Sequence, residues 1–131
     1  MSRWTHSNKA IFNIGYHLIW CPKYRRKVLV GEVEARLREI IIEAAKKIDC
    51  LIETIEIMPD HIHLFVRSSP VHAPHFIVQQ LKGKSSRILR DEFPHLKSKI
   101  PTLWTRSYFA ESVGCISEET VKKYIENQKK K

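Results

Sequence analysis

Two histidines stand two residues apart in the segment PDHIHLF at 59–65. Side chains alternate between the faces of a β-strand, so His61 and His63 should project from one face with their Cα atoms roughly 7 Å apart. Such a pair can chelate one divalent ion. Two simpler interpretations stay open: a solvent-facing strand that carries polar residues, or imidazoles that each bond a backbone carbonyl. A third ligand is what the pair lacks as a metal site.

A reactive group and a further ligand occur together in VKKYIENQ at 121–128. Tyr124 and Gln128 lie at i and i+4 of a predicted last helix that Ser117 would cap, so they share one face. A packed tyrosine and a glutamine at a fraying helix end are the alternative. A phenol with a pKa near ~10 is a poor nucleophile unless a divalent metal polarises the phosphate that it attacks. Attack at phosphorus would give a phosphotyrosine and one free DNA hydroxyl, and a second hydroxyl could reverse the step.

Hydrophobic periodicity predicts the elements that would position these groups. In chain order they are a strand at 11–20, a helix at 32–48, strands at 51–58 and 61–67 joined by a turn at 59–60, a helix at 74–91 and a strand at 102–109. We expect a loop at 93–101 and a flexible connection, AESVG, at 110–114. This order predicts an α+β, ferredoxin-like (RRM-like) split βαβ antiparallel sheet, here with an extra C-terminal helix.

The same periodicity predicts which residues face the core. On the first strand the even positions are apolar: Phe12, Ile14, Tyr16, Leu18 and Trp20. On the second helix the following residues are expected to point inward: Phe76, Ile77, Gln80, Leu81 and Ile88. Its cations are expected to point mainly toward solvent: Lys82, Lys84, Arg87 and Arg90.

Length and charge narrow the class of protein. A chain of 131 residues is expected to form a single domain, 1–131. It has 23 Lys and Arg against 14 Asp and Glu, a net charge of +9, which favours a polyanionic partner, with nucleic acid ahead of a membrane surface. No segment approaches the ~20 apolar residues that span a bilayer, and we expect a cytoplasmic protein.

Taken together, these motifs resemble the HUH single-tyrosine transposases of single-strand insertion sequences, relatives of the REP-associated tyrosine transposases. PDHIHLF is followed about sixty positions later by YIENQ, and the likeness includes YHLIWCPKYRRKVL, QQLKGKSSRIL and LWTRSYFAESVG. The likeness covers nearly the whole chain. All four motif positions are present: His61, His63, Tyr124 and Gln128.

The resemblance implies a mechanism and an assembly. His61 and His63, with Gln128, would hold Mg²⁺ or Mn²⁺, and Tyr124 would attack single-stranded DNA to leave a 5′-phosphotyrosine and a free 3′-hydroxyl. Family members are obligate dimers that bind a DNA hairpin near each element end. The tyrosine helix of one subunit can complete the histidine site of the other, with the hinge here near Gly114.

Clustered cations are the candidates for phosphate contacts, because affinity for DNA comes largely from neutralising its backbone. They are Lys23, Arg25, Arg26, Lys27, Lys82, Lys84 and Arg87. Tyr24, which lies between cations, could stack on an unpaired base. A solvated charged face is the alternative for each cation taken singly.

Three rival functions compete with this prediction. A non-catalytic RNA- or single-strand-DNA-binding domain of ferredoxin-like fold fits the charge equally well, although the aromatic RNP motif is absent from every strand. A zinc nucleobase deaminase would need H-x-E and P-C-x-x-C motifs, and neither occurs. A carboxylate-based nuclease would draw on Asp49, Asp60 and Asp91, all of which sit at predicted turns or helix ends.

Overall fold

The computed structural model of the protein describes residues 5–6, 11–12, 14–69 and 71–113. The predicted last helix, with Tyr124 and Gln128, and the predicted hinge at Gly114 lie outside the described residues. Within the described ranges the chain forms β1 (Thr5–His6), β2 (Ile11–Phe12), β3 (Ile14–Trp20), α1 (Gly31–Lys47), β4 (Leu51–Met58), β5 (His61–Ser68), α2 (Pro74–Glu92), α3 (Pro94–Lys99) and β6 (Phe109–Ser112).

The main sheet has four antiparallel strands in the order β4-β5-β3-β6, and β1 pairs separately with β2. Its two central strands, β3 and β5, are far apart in sequence and are joined through α1 and β4. This is the ferredoxin-like arrangement, and the predicted fold class is confirmed.

Both long helices begin and end where the sequence provides signals. Gly31 opens α1 with a φ of 58°, and acidic residues in the first turn and lysines in the last turn complement the helix dipole. Pro74 occupies the first turn of α2. Pro94 cannot continue α2 and instead starts α3, so the expected loop at 93–101 is wrong in part.

The core lies between the helices and one face of the sheet. The apolar side chains of β3 and β5 that enter it are almost fully buried: Tyr16, Leu18, Trp20, Ile62, Leu64 and Val66. On α2 the inward prediction holds for Ile77 and Leu81, whereas Phe76 is exposed and stacks on His72. In the described part of the chain, no helix is long and apolar enough to cross a membrane.

The last strand is displaced from its predicted position. We expected a strand at 102–109, but β6 covers Phe109–Ser112 and so includes most of the expected AESVG connection. The preceding segment is a loop in which Trp104 is buried and donates a hydrogen bond from Nε1 to Ser85 Oγ at 2.9 Å. Lys23 N donates to Leu103 O at 2.8 Å, which docks this loop against the basic segment KYRRK at 23–27, which we call the basic turn. The aromatic residues of this segment pack as a loop and not as a strand.

Candidate metal and DNA site on the open sheet face

The H-x-H pair lies on the sheet face opposite the helices, which we call the open face. Along β5 the burial alternates, with Ile62 and Leu64 facing the core and the histidines facing the other way. The side chains of His61 and His63 are 35% and 32% exposed, so a ligand can reach both. The shared face predicted from the spacing is therefore observed.

Asp60 orients His61. One carboxylate oxygen of Asp60 lies 2.9 Å from His61 Nδ1, and the other accepts a hydrogen bond from Arg25 at 3.0 Å. The hydrogen bond to His61 lowers the pKa of Asp60, and the nearby Arg25 charge adds to this effect. An ionised Asp60 favours the tautomer with the proton on Nδ1, which leaves Nε2 of His61 as the nitrogen free to bind an ion.

His63 has a different set of neighbours. Its Nε2 is 3.2 Å from Nδ1 of His17 on β3, and its Nδ1 is 3.8 Å from a carboxylate oxygen of Glu56 on β4. Sequence reasoning missed His17. Strand alternation does indicate where it points. The even positions of β3 were expected to face the core, so His17, at an odd position, must face the same side as the H-x-H pair.

The two histidines suit a divalent ion as ligands, but a third ligand would have to come from outside the described residues. Two imidazoles favour transition ions such as Mn²⁺, and carboxylates and phosphate oxygens also suit Mg²⁺. Within the described ranges, no three His, Cys, Asp or Glu side chains lie close enough to hold a metal ion. This is consistent with a ligand such as Gln128, which lies outside those ranges and stays a prediction.

The basic turn at 23–27 lies beside the histidine end of the sheet, to which the hydrogen bond from Arg25 to Asp60 connects it. Tyr24 and Arg25 adopt left-handed φ angles of 60° and 51°, which are uncommon for residues other than glycine. This backbone leaves Tyr24 67% exposed, with the Lys23 ammonium 5.4 Å from its ring centroid. Arg26 and Lys27 are also exposed. The turn thus presents an aromatic ring and several cations to solvent.

The three residues of α2 predicted to contact DNA, Lys82, Lys84 and Arg87, do not share one surface. The Lys82 ammonium turns toward the loop before β6, where it donates to the carbonyls of residues 105–107, and burial lowers its pKa. Its predicted solvent orientation is therefore wrong in part, because the side chain is half-buried, and a phosphate contact would have to replace those carbonyls. Lys84 and Arg87 instead line a shallow depression between α1 and α2.

A concave region joins the basic turn to α2. Its volume is about 790 Å³, and the residues that line it include Tyr24, Lys82, Trp104, Arg106 and Tyr108. Sequence reasoning did not anticipate Arg106 here, because its loop was expected to be a strand. The DNA-contact predictions for Lys23, Tyr24 and Lys82 thus converge on one groove, whereas those for Lys84 and Arg87 lie elsewhere.

Comparisons with known proteins agree with this architecture. The family described as "Transposase IS200 like" matches residues 10–128, and the chain belongs to that family of DNA transposases. The ISDra2 transposase TnpA of Deinococcus radiodurans is 40% identical over 120 residues, covering 90% of this chain and 86% of that protein. The transposase for insertion sequence element IS200 of Salmonella typhimurium is 31% identical over 119 residues, covering 89% and 78%.

Two solved structures share the fold. A putative transposase from Deinococcus radiodurans aligns with a TM-score of 0.76 and 37% identity over 95% of this chain and 97% of its own. A REP-associated tyrosine transposase bound to a REP hairpin aligns with a TM-score of 0.58 and 14% identity, over 86% of this chain and 62% of its own. At that identity the second likeness concerns the fold alone.

Proposed function

We propose that this transposase cleaves and rejoins single-stranded DNA at insertion-sequence ends through a 5′-phosphotyrosine on Tyr124. The observation that carries the proposal is the H-x-H pair on the open face, in a chain that belongs to the IS200-like family. His61 and His63, with Gln128, would hold Mg²⁺ or Mn²⁺. The bound ion would polarise the non-bridging oxygens of the scissile phosphate.

The proposed step balances without an external energy source. The phenol oxygen of Tyr124 forms a bond to phosphorus, and the bond from phosphorus to the 3′ oxygen of the upstream nucleotide breaks. The phenol proton is lost and the departing oxygen gains one, so a free 3′-hydroxyl results. Because the phosphotyrosine ester retains roughly the energy of the original phosphodiester, another 3′-hydroxyl can attack it and join new ends.

A gel with two labelled substrates tests this chemistry. The oligonucleotide carries an element-end hairpin and is labelled at its 3′ end in one sample and at its 5′ end in the other. With Mn²⁺, the 3′-labelled fragment should migrate with the protein on a denaturing gel, and the 5′ label should appear in a shorter free strand. Tyr124→Phe keeps the ring and should give neither product. An adduct formed by this variant would move the nucleophile to Tyr24 or Tyr108.

The same gel separates the proposal from its rival. A non-catalytic RNA- or single-strand-DNA-binding domain would retain the labelled strand in a native gel and leave it intact and free in a denaturing one. For the DNA partner we propose a hairpin near each element end, in keeping with the REP hairpin named for a relative of the same fold. The exposed cations and Tyr24 of the basic turn would contact its backbone and an unpaired base.

We further propose a homodimer with shared sites, in which His61 and His63 of one subunit act with Tyr124 and Gln128 of the other. Subunits carrying His63→Ala and subunits carrying Tyr124→Phe are refolded together and the heterodimer is verified. Shared sites place both lesions in one site and leave the other intact, so cleavage should return although each parent is inactive. A verified heterodimer that remains inactive would reject sharing and leave the nucleophile assignment untouched.

A further inference from the structure

We infer that His17 is a positioning residue for His63, fixing the tautomer in which Nδ1 of His63 is the nitrogen that binds the ion. This inference rests on the proposed metal-dependent function and extends it to a residue on a different strand. The hydrogen bond between His17 Nδ1 and His63 Nε2 at 3.2 Å is the observation that leads to it.

The His17 ring is held on both sides. Its centroid lies 5.3 Å from that of His63 and 4.9 Å from that of Phe65, with both partners tilted against it. The pairing of β3 with β5 puts His17 directly opposite Phe65 and diagonal to His63. A half-buried ring with neighbours on two sides can hold one orientation, which is what a positioning residue requires.

The strand register argues against His17 as a third ligand of the same ion. His17 is level with Phe65, so His61 lies four residues further along β5, about 13 Å at roughly 3.3 Å per residue. Metal–nitrogen bonds are about 2.1 Å long, and among the described residues no three His, Cys, Asp or Glu side chains are placed so that they could hold one ion. His17 therefore acts on the ion only through His63.

The two histidines of the pair have comparable support. Metal-binding histidines usually engage their second ring nitrogen with a partner that fixes the tautomer. Asp60 contacts Nδ1 of His61, and His17 Nδ1 contacts Nε2 of His63, where it would accept the Nε2 proton. The nitrogen left on His63 is Nδ1, which lies 3.8 Å from a carboxylate oxygen of Glu56. That distance is too long for a hydrogen bond, so Glu56 does not hold a ring proton as Asp60 does at His61, and its charge favours a cation there.

Metal affinity tests the inference in the full-length protein. Mn²⁺ binding is measured by the electron paramagnetic resonance signal of the free ion. His17→Phe keeps a ring against Phe65 but removes the hydrogen bond, and it should weaken Mn²⁺ binding by about 10- to 100-fold. His17→Gln keeps an acceptor and should recover most of the affinity. His95→Phe, on the exposed α3, is the matched control and should bind like wild type.

A second readout needs no metal. Nitrogen-15 NMR of labelled histidines should show His63 protonated mainly on Nε2 in the wild type, and a mixture of tautomers in His17→Phe with an unchanged melting temperature. The inference is overturned if His17→Phe binds Mn²⁺ with wild-type affinity, or if the substitution leaves the His63 tautomer unchanged. If the wild type binds no Mn²⁺ and forms no DNA adduct, the proposed function fails, and the NMR result still decides whether His17 positions His63.

Discussion

The two faces of the central strands have different tasks although they are built from alternate residues of the same segments. Facing the helices, Leu18, Ile62 and Leu64 have no exposed surface. Facing the other way, His17, His61 and His63 are half-buried and bond to each other or to Asp60. Because a shift of one residue exchanges the faces, the register that buries the core also aligns the histidines.

The forces on the two faces differ in magnitude. Burying a large apolar side chain contributes about 1.5–3 kcal/mol, whereas a typical hydrogen bond contributes about 0.5–1.5 kcal/mol net. We therefore expect substitutions on the core face to change stability and substitutions on the open face to change activity. Neighbouring residues of β5 offer a direct test of this division.

His63→Ala should have the largest effect on activity. It removes a proposed ligand from the open face, so DNA cleavage should be lost, while the melting temperature and hairpin affinity stay close to wild type. Adduct yield, thermal denaturation and a native gel measure the three quantities, and His95→Ala is the matched control. Full cleavage by the variant, or by wild type in excess chelator, would remove the metal from the mechanism.

Leu64→Ala, one residue further, should do the opposite. Leu64 is fully buried between β5 and the helices, so the truncation should lower the free energy of unfolding by about 2–5 kcal/mol. Chemical denaturation measures this loss. At a temperature where the variant is folded, its adduct yield per folded molecule should match that of the wild type. A stable Leu64→Ala protein that cannot cleave would mean that the two faces are not separable.

Asp60→Asn should lower stability by less than Leu64→Ala does, and the loss should depend on pH. The contacts with His61 and Arg25 lower the pKa of Asp60 in the folded state, so their contribution to stability is complete above the unfolded value of about 3.9 and is lost as the pH falls through the folded value. The difference in melting temperature between wild type and variant should therefore be largest near neutral pH and shrink as the pH falls below the unfolded value.

Asp91→Asn is the control for the loss of one exposed carboxylate, here on α2. A difference between wild type and Asp60→Asn that stays constant down to the lowest pH would show that the ionised Asp60 carboxylate does not stabilise the fold through these contacts.

The parts of the fold with strong periodicity were predictable from the sequence. The bounds of α1, α2, β4 and β5 agree with the prediction to within a residue, because their apolar residues recur at helical or strand spacing. The last strand was misplaced because apolar residues in a loop can look like those of a strand. Trp104 is buried in the loop before β6, where it donates a hydrogen bond to Ser85 on α2. The exposed Phe76 was misjudged because its local partner is His72.

The two proposed metal ligands were predictable from the sequence, but the neighbouring residues that contact them were not. The spacing of His61 and His63 was enough to place both on one face. The bond from His63 to His17 joins residues 46 positions apart, so it depends on strand pairing that spacing alone does not specify. Alternation along β3 places His17 on the correct face, but its contact with His63 also depends on which residues of β3 and β5 pair.

Mass spectrometry of the covalent intermediate tests the central claim most directly. Wild-type protein is incubated with Mn²⁺ and the hairpin oligonucleotide, the DNA and the protein are digested, and the modified peptide is sequenced. We predict a nucleotide phosphate on Tyr124 in the presence of metal, and none in excess chelator or in His63→Ala. Modification of Tyr24 or Tyr108 instead, or of Tyr124 at the same yield without metal and without His63, would contradict the account.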